Sequence, residues 1–148
     1  MQSLVDKIKT ITSKNKSDVI AARRWLHQHP ELSFEEVNTS QYIQKRLTEL
    51  GIEFRAGVVK TGIVALIKGR NPESRVIALR ADMDALPILE ENKVPYSSVN
   101  EGVMHACGHD VHSSSLLGVA AVLNELKEEF EGTIKLIFQP GEEKLPGG

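Results

Sequence analysis

Two short stretches of this chain gather the side-chain types that hold and use a transition metal. The first, Met104-His105-Ala106-Cys107-Gly108-His109-Asp110, contains the only cysteine, two residues from an imidazole at the expected start of a helix. The second, Gln139-Pro140-Gly141-Glu142-Glu143, sets a carboxylate pair just past an apolar run. Thiolate, imidazole and carboxylate are the usual donors to such a metal. A second carboxylate beside the first could act as a general base. Together they form most of what a metal-dependent hydrolytic centre needs.

Each residue also has a plainer reading. An isolated Cys107 would pass for a small buried hydrophobe, but with Gly108, His109, His105 and His112 around it the thiol reads as a ligand. At the start of a helix the dipole should also favour its thiolate. His109 could instead cap the helix or sit hydrogen-bonded in the core. His112, one turn on, either supports the site or faces the neighbouring loop, and His105 carries less signal. Glu142 and Glu143 would be a surface turn were they not at a strand's end. In an extended segment consecutive side chains diverge, so Glu143 could bind metal while Glu142 faces water. Asp82 and Asp84, spaced by two, would share one side and orient ligand histidines; solvated aspartates ending a strand are the alternative. His27 and His29 read as structural residues at a helix end, and Trp25 as core.

The elements that must position these residues follow from periodicity. Leu4, Ile8 and Ile11 recur at helical spacing, Thr12–Ser17 reads as a polar break, and Asp18–Gln28 as a second helix with Ile20, Ala21 and Trp25 inward. Pro30 prevents its continuation. Ser33-Phe34-Glu35-Glu36 matches a capping box, with Leu32 and Val37 as a hydrophobic staple. The helix it starts buries Ile43, Leu47 and Leu50 and stops at Gly51. Gly62–Ile67, Arg75–Leu79 and Thr133–Phe138 read as strands, and their continuous apolar runs suggest cover on both faces. His109–Phe130 reads as a helix with Val119, Val122, Leu123, Leu126 and Phe130 on one stripe. The expected fold class is α/β, a layered sheet with flanking helices. Asp82–Asp84 and Gln139–Glu143 then lie at the carboxyl ends of strands, where ligands collect in such sheets.

Composition narrows the classes. The 148 residues, 41% apolar and 26% charged with net charge −2, suit one domain with a core of its own. There is no basic excess to suggest nucleic acid. No apolar run reaches the roughly 18 residues of a spanning helix, so no membrane association is expected. A single cysteine forms no internal disulfide, which suits a reducing, cytoplasmic setting.

Four segments in order carry a family resemblance: Trp25–Leu32 with Glu35-Glu36, Arg80–Pro87, His105–Asp110 with His112, and Phe138–Glu143. They resemble the metal-dependent amidohydrolases of the aminoacylase and carboxypeptidase superfamily. The nearest branch holds hippurate hydrolases, N-acyl-amino-acid amidohydrolases and auxin-conjugate hydrolases. The resemblance implies a zinc-peptidase-like catalytic domain, of which residues 1–148 would be the N-terminal portion. Two further histidine ligands and a smaller lid and dimerisation domain would lie beyond it. It implies Cys107, His109 and Glu143 as ligands, with Cys107 bridging two metals. Glu142 would be the general base that takes a proton from the attacking water and passes it to the leaving amine. Asp84 would support the site, and Asp82 belongs to the same motif. Gly141 stands where the family commonly has alanine, an exchange expected to be tolerated.

The implied substrate is a small N-acyl amino acid or similar conjugate. The implied cofactor is one or two divalent ions, with zinc, manganese, cobalt and nickel all admitted by the donor set. The whole enzyme would be a homo-oligomer. The chain alone is expected to be largely inactive and to self-associate through an exposed apolar face. Two other classes compete: a hydrolase using Cys107 as nucleophile with a nearby histidine, and a non-catalytic interaction module with an incomplete metal site.

Overall fold

In the computed structural model, which describes residues 2–148, Leu4–Gln28 is a single helix, α1. The break expected over Thr12–Ser17 does not occur. That stretch holds neither glycine nor proline, and Asn15 Nδ2 bonds within the helix, donating to the Ile11 carbonyl at 3.0 Å. Ser3 caps the start, accepting the Asp6 amide at 3.2 Å. The inward face is Ala22, Leu26 and His27, one position on from the expected Ala21 and Trp25, while Ile20 is exposed. Trp25 is half-buried rather than core, stacked between Tyr42 at 4.1 Å and His29 at 4.4 Å between ring centroids.

Helix α2 spans Val37–Glu49. The capping box before it does not form. Ser33 Oγ donates instead to Asp84 Oδ2 at 2.6 Å, and Glu36 turns inward and is buried. Glu31 caps the helix in their place, accepting the amides of Asn38 at 3.0 Å and Thr39 at 2.8 Å. Val37 is half exposed and makes no staple. The other end is as expected. Gly51, at φ +67°, allows Ile52 N–H to reach Leu47 O and Gly51 N–H to reach Thr48 O, the paired bonds of a left-handed helix stop.

Strands β1 (Glu53–Val58), β2 (Gly62–Lys68), β3 (Val76–Asp82) and β4 (Thr133–Gln139) form one sheet in the order β1-β2-β4-β3. β1 has no counterpart in the sequence reading: Glu53-Phe54-Arg55-Ala56-Gly57-Val58 is a polar edge strand without an apolar run. β1 with β2 and β2 with β4 are antiparallel, whereas β3 and β4 are parallel. Helix α3 (His109–Glu125), followed by a short 3₁₀ turn over Lys127–Glu129, makes the crossover between them.

The core joins Ile43 and Leu47 of α2, Leu116, Leu117 and Ala120 of α3, and Ile63, Ala65, Ile67, Leu136 and Phe138 of the sheet. The stripe expected on α3 is met in part: Leu126 is buried and Leu123 and Phe130 pack against the core, but Val119 is exposed. Cover on both sheet faces is not found either, because Val64 and Leu66, alternating with the buried residues of β2, are only half-buried. No helix among the described residues is long and apolar enough to cross a membrane.

Candidate metal centre

Parallel pairing of β3 with β4 determines where the chemistry gathers. Asp82 is in register with Gln139, and Met83 N–H bonds to Gln139 O at 3.0 Å, so both carboxyl ends open on one edge. The crossover returns to that edge at the first turn of α3, after Gly108 at φ +91°. The Asp82–Asp84, Cys107–His112 and Gln139–Glu143 segments therefore converge, as their positions in the chain suggested.

His109 sits at the centre and is 2% exposed. Its Nδ1 lies 2.9 Å from the Asp84 carbonyl and 3.2 Å from Asp84 Oδ1. Both partners only accept, so Nδ1 carries the proton and the Nε2 lone pair is left for another partner. Around Nε2 stand Asp82 Oδ1 at 3.6 Å, Glu142 Oε2 at 3.7 Å and Glu143 Oε1 at 3.7 Å. Donor atoms of Cys107, His109 and Glu143 all lie within 4.8 Å of one another, as do those of Asp82, His109 and His112.

Glu142 and Glu143 do not diverge. The segment after Pro140 is a turn, not an extended strand, and both carboxylates face the same imidazole nitrogen. Asp82 and Asp84 do share one side, bracketing the His109 ring. Asp82 is itself clamped, with Arg80 donating to Oδ2 at 2.7 Å and His112 Nδ1 lying 2.7 Å from Oδ1. Arg80 also reaches Gln139 Oε1 at 2.7 Å, a tie that the sequence reading did not single out. Asp84 accepts from Ser33 Oγ and, at 2.9 Å, from the Glu143 amide.

The electrostatics follow from this crowding. Burial works to raise the Asp84 carboxyl, but hydrogen bonds from His109, Ser33 and the Glu143 amide outweigh it and hold the group well below the usual carboxylate range. Burial alone would lower His109, yet the bond to Asp84 and the charges of Asp82 and Asp84 raise it. The Cys107 thiol is raised, first by its hydrogen bond to Glu143, then by desolvation and the surrounding carboxylates. The thiolate expected from the helix terminus is therefore not favoured in the protein alone, because adjacent negative charge outweighs the dipole. A dication held between these donors would reverse that balance. A soft thiolate, an imidazole with its lone pair turned outward and a carboxylate fit a divalent transition metal.

Other residues lie close by. His27 lies between two carboxylates: Nδ1 is 2.8 Å from Asp110 Oδ2 and Nε2 3.0 Å from Glu90 Oε1. His105 is 5% exposed, and neither ring nitrogen has a hydrogen-bond partner among the described residues. Gly141 does not have the freedom expected of it. Its φ is +60°, and an added Cβ would press into the Phe34 ring.

The sequence profile of peptidase family M20/M25/M40 matches residues 78–148, the stretch that carries all of these donors. The chain belongs to this family. It is 48% identical over 143 residues to an N-acyl-L-amino acid amidohydrolase of Geobacillus stearothermophilus, covering 97% of this chain and 38% of that protein. To the IAA-amino acid hydrolase ILR1-like 5 of Arabidopsis thaliana it is 44% identical over 126 residues, covering 84% of this chain and 28% of the relative. The crystal structure of Bacillus subtilis YxeP, described as a dinuclear metal binding peptidase of the M20 family, superposes with a TM-score of 0.84 at 47% identity. That match covers 94% of this chain and 38% of YxeP. The chain thus spans well under half the length of the relatives it matches.

Proposed function

We propose that these residues form part of the metal centre of an amidohydrolase that cleaves the amide bond of N-acyl amino acids or related small conjugates. The observation that carries this reading is the convergence of Cys107, His109 and Glu143 donor atoms within 4.8 Å of one another, with Glu142 Oε2 3.7 Å from His109 Nε2. The names of the relatives support the substrate class. Cys107, His109 and Glu143 would hold the metal, whether zinc, manganese, cobalt or nickel. The ion supplies Lewis-acid polarisation of the scissile carbonyl and water activation. Glu142, half exposed at the mouth of the cluster, takes the proton from the attacking water and delivers it to the departing nitrogen. Asp84 fixes the His109 tautomer, while Asp82 and His112 brace the opposite side of the ring.

Further donors and the substrate-covering surface would come from the part of such an enzyme that these residues do not match. The chain by itself should therefore bind metal weakly and turn over little. A reducing, cytoplasmic setting belongs to the same proposal, since Cys107 must stay a free thiol to serve as a ligand.

The test is Glu142→Gln in the protein with its whole catalytic domain, assayed on N-acyl amino acids. Turnover should be lost while bound metal, measured by elemental analysis, stays at the unsubstituted level. Retained turnover would remove Glu142 from the mechanism. Activity that survives a chelator would favour the Cys107 nucleophile instead.

A further inference from the structure

The segment from Trp25 to Glu36 contributes no donor to the cluster, yet its last residue reaches the loop that carries the carboxylate pair. Glu36 is 0% exposed. Its Oε1 accepts the amides of Phe34 at 2.9 Å and Gly141 at 2.8 Å, and its Oε2 accepts Thr61 Oγ at 2.6 Å. It makes no ion pair among the described residues, so these three donors are what compensate a buried carboxylate. Helix capping does not explain it, because Glu31 already takes the free amides of α2.

What Glu36 holds is more telling. β4 ends at Gln139 and Pro140 has no N–H, so Gly141 offers the first amide of the loop. Glu36 takes that amide, and Asp84 takes the amide of Glu143. Two buried carboxylates thus grip the backbone on either side of Glu142. The Phe34 ring, carried on a residue at φ +67°, closes over Gly141. Metal donors must lie at about 2.0 to 2.3 Å from their ion, so a loop shift of an ångström empties a coordination position.

We propose that Glu36 is a positioning residue: through the Gly141 amide it sets the reach of Glu142 and Glu143 towards His109 and Cys107. The inference rests on the metal-centre reading above and deepens it.

The test is a cobalt(II) titration of the metal-free chain, followed by the thiolate-to-cobalt absorption that Cys107 would produce, with a thermal unfolding midpoint measured for each variant. Glu36→Gln can turn its carbonyl oxygen to the two amides and its NH₂ to Thr61 Oγ, and should bind cobalt as the unsubstituted chain does. Glu36→Asp is shorter by one bond of about 1.5 Å. It cannot span Thr61 and Gly141 together and should weaken cobalt binding about 10- to 100-fold. Thr61→Val removes one hydrogen bond to Glu36 without freeing Gly141. It should lower the midpoint and leave cobalt affinity unchanged.

Unaltered affinity in Glu36→Asp overturns the proposal. So does a loss in Thr61→Val as large as that in Glu36→Asp, since burial alone would then explain both. If the unsubstituted chain gives no thiolate band at any cobalt concentration, the metal-centre reading falls first and this inference with it.

Discussion

Acid should weaken the metal-free chain through His105. The ring is 5% exposed and neither nitrogen finds a partner among the described residues. Burial is the largest influence and pushes its pKa from 6.5 down to about 4. The carboxylates of Asp110 and Asp84 only partly offset this, while His27 and His109 act in the same direction as burial. The folded state therefore refuses a proton that the unfolded chain accepts. The neutral-His105 contribution is fully present above the unfolded value of 6.5 and is lost as pH falls towards the folded value of about 4. With those two values, linkage predicts a loss of about 2 kcal/mol at pH 5 and about 3 kcal/mol at pH 4. Against a total stability of about 5 to 15 kcal/mol, that is a large fraction.

The assay is urea unfolding in the presence of a chelator, at intervals from pH 7 to 4, with the slope m checked for constancy. His105→Leu keeps an apolar side chain in the same space and has nothing to titrate, so most of the loss down to pH 5 should vanish. A ring titration of His105 by NMR gives the folded pKa directly. If His105→Leu loses stability as steeply as the unsubstituted chain between pH 7 and 5, or if the ring titrates near 6.5, the reasoning fails.

Asp84→Asn should act in a lower pH window and with the same sign. The Asp84 carboxyl is held below its usual range, so its contribution is present above about pH 4 and lost as pH falls further. Loss of its charge-assisted bonds to Ser33, His109 and the Glu143 amide should cost about 1 to 3 kcal/mol at pH 7 in urea unfolding, and the gap from the unsubstituted chain should narrow by pH 3. Gly141→Ala should lower the thermal midpoint, with a cost of about 1 to 3 kcal/mol, because the left-handed φ and the Phe34 ring both reject a Cβ. An unchanged midpoint would mean that the loop relaxes freely.

The convergence of Cys107, His109 and Glu143 was legible in the sequence because few arrangements bring thiol, imidazole and paired carboxylates to strand ends. The β3–α3–β4 crossover was legible for the same reason, since apolar runs bounded by turns leave little choice. What was missed depended on distance in the chain. Glu31 caps α2 from seven and eight residues away, which displaced the nearer Ser33 and Glu36 to other work. Asp84 and Gly141, which claim those two side chains, lie 51 and 105 residues further along the chain. The stripe on α3 was read only in part, because Leu116, Leu117, Ala120 and Ala121 are also buried and the run Leu116–Leu123 is apolar on most sides, which hides its inward face. The divergence expected of Glu142 and Glu143 assumed an extended segment where Pro140 and Gly141 make a turn.

Charge around the cluster favours one of the two hydrolytic chemistries proposed for these residues. Asp82, Asp84, Glu142 and Glu143 all lie within 3.7 Å of a His109 ring nitrogen. The fixed cation touching them is Arg80, bonded to Asp82 and itself half exposed. A cysteine nucleophile needs its thiolate stabilised by a positive neighbour. Here the first influence on Cys107 is Glu143, which raises the thiol. The same carboxylates that work against a free thiolate stabilise a dication, and once a dication is held, they no longer oppose the thiolate. This charge balance supports the proposed donor role of Cys107 over a nucleophilic one. Glu142, which faces His109 Nε2 without belonging to the Cys107, His109 and Glu143 cluster, stays free for the proton transfer proposed above.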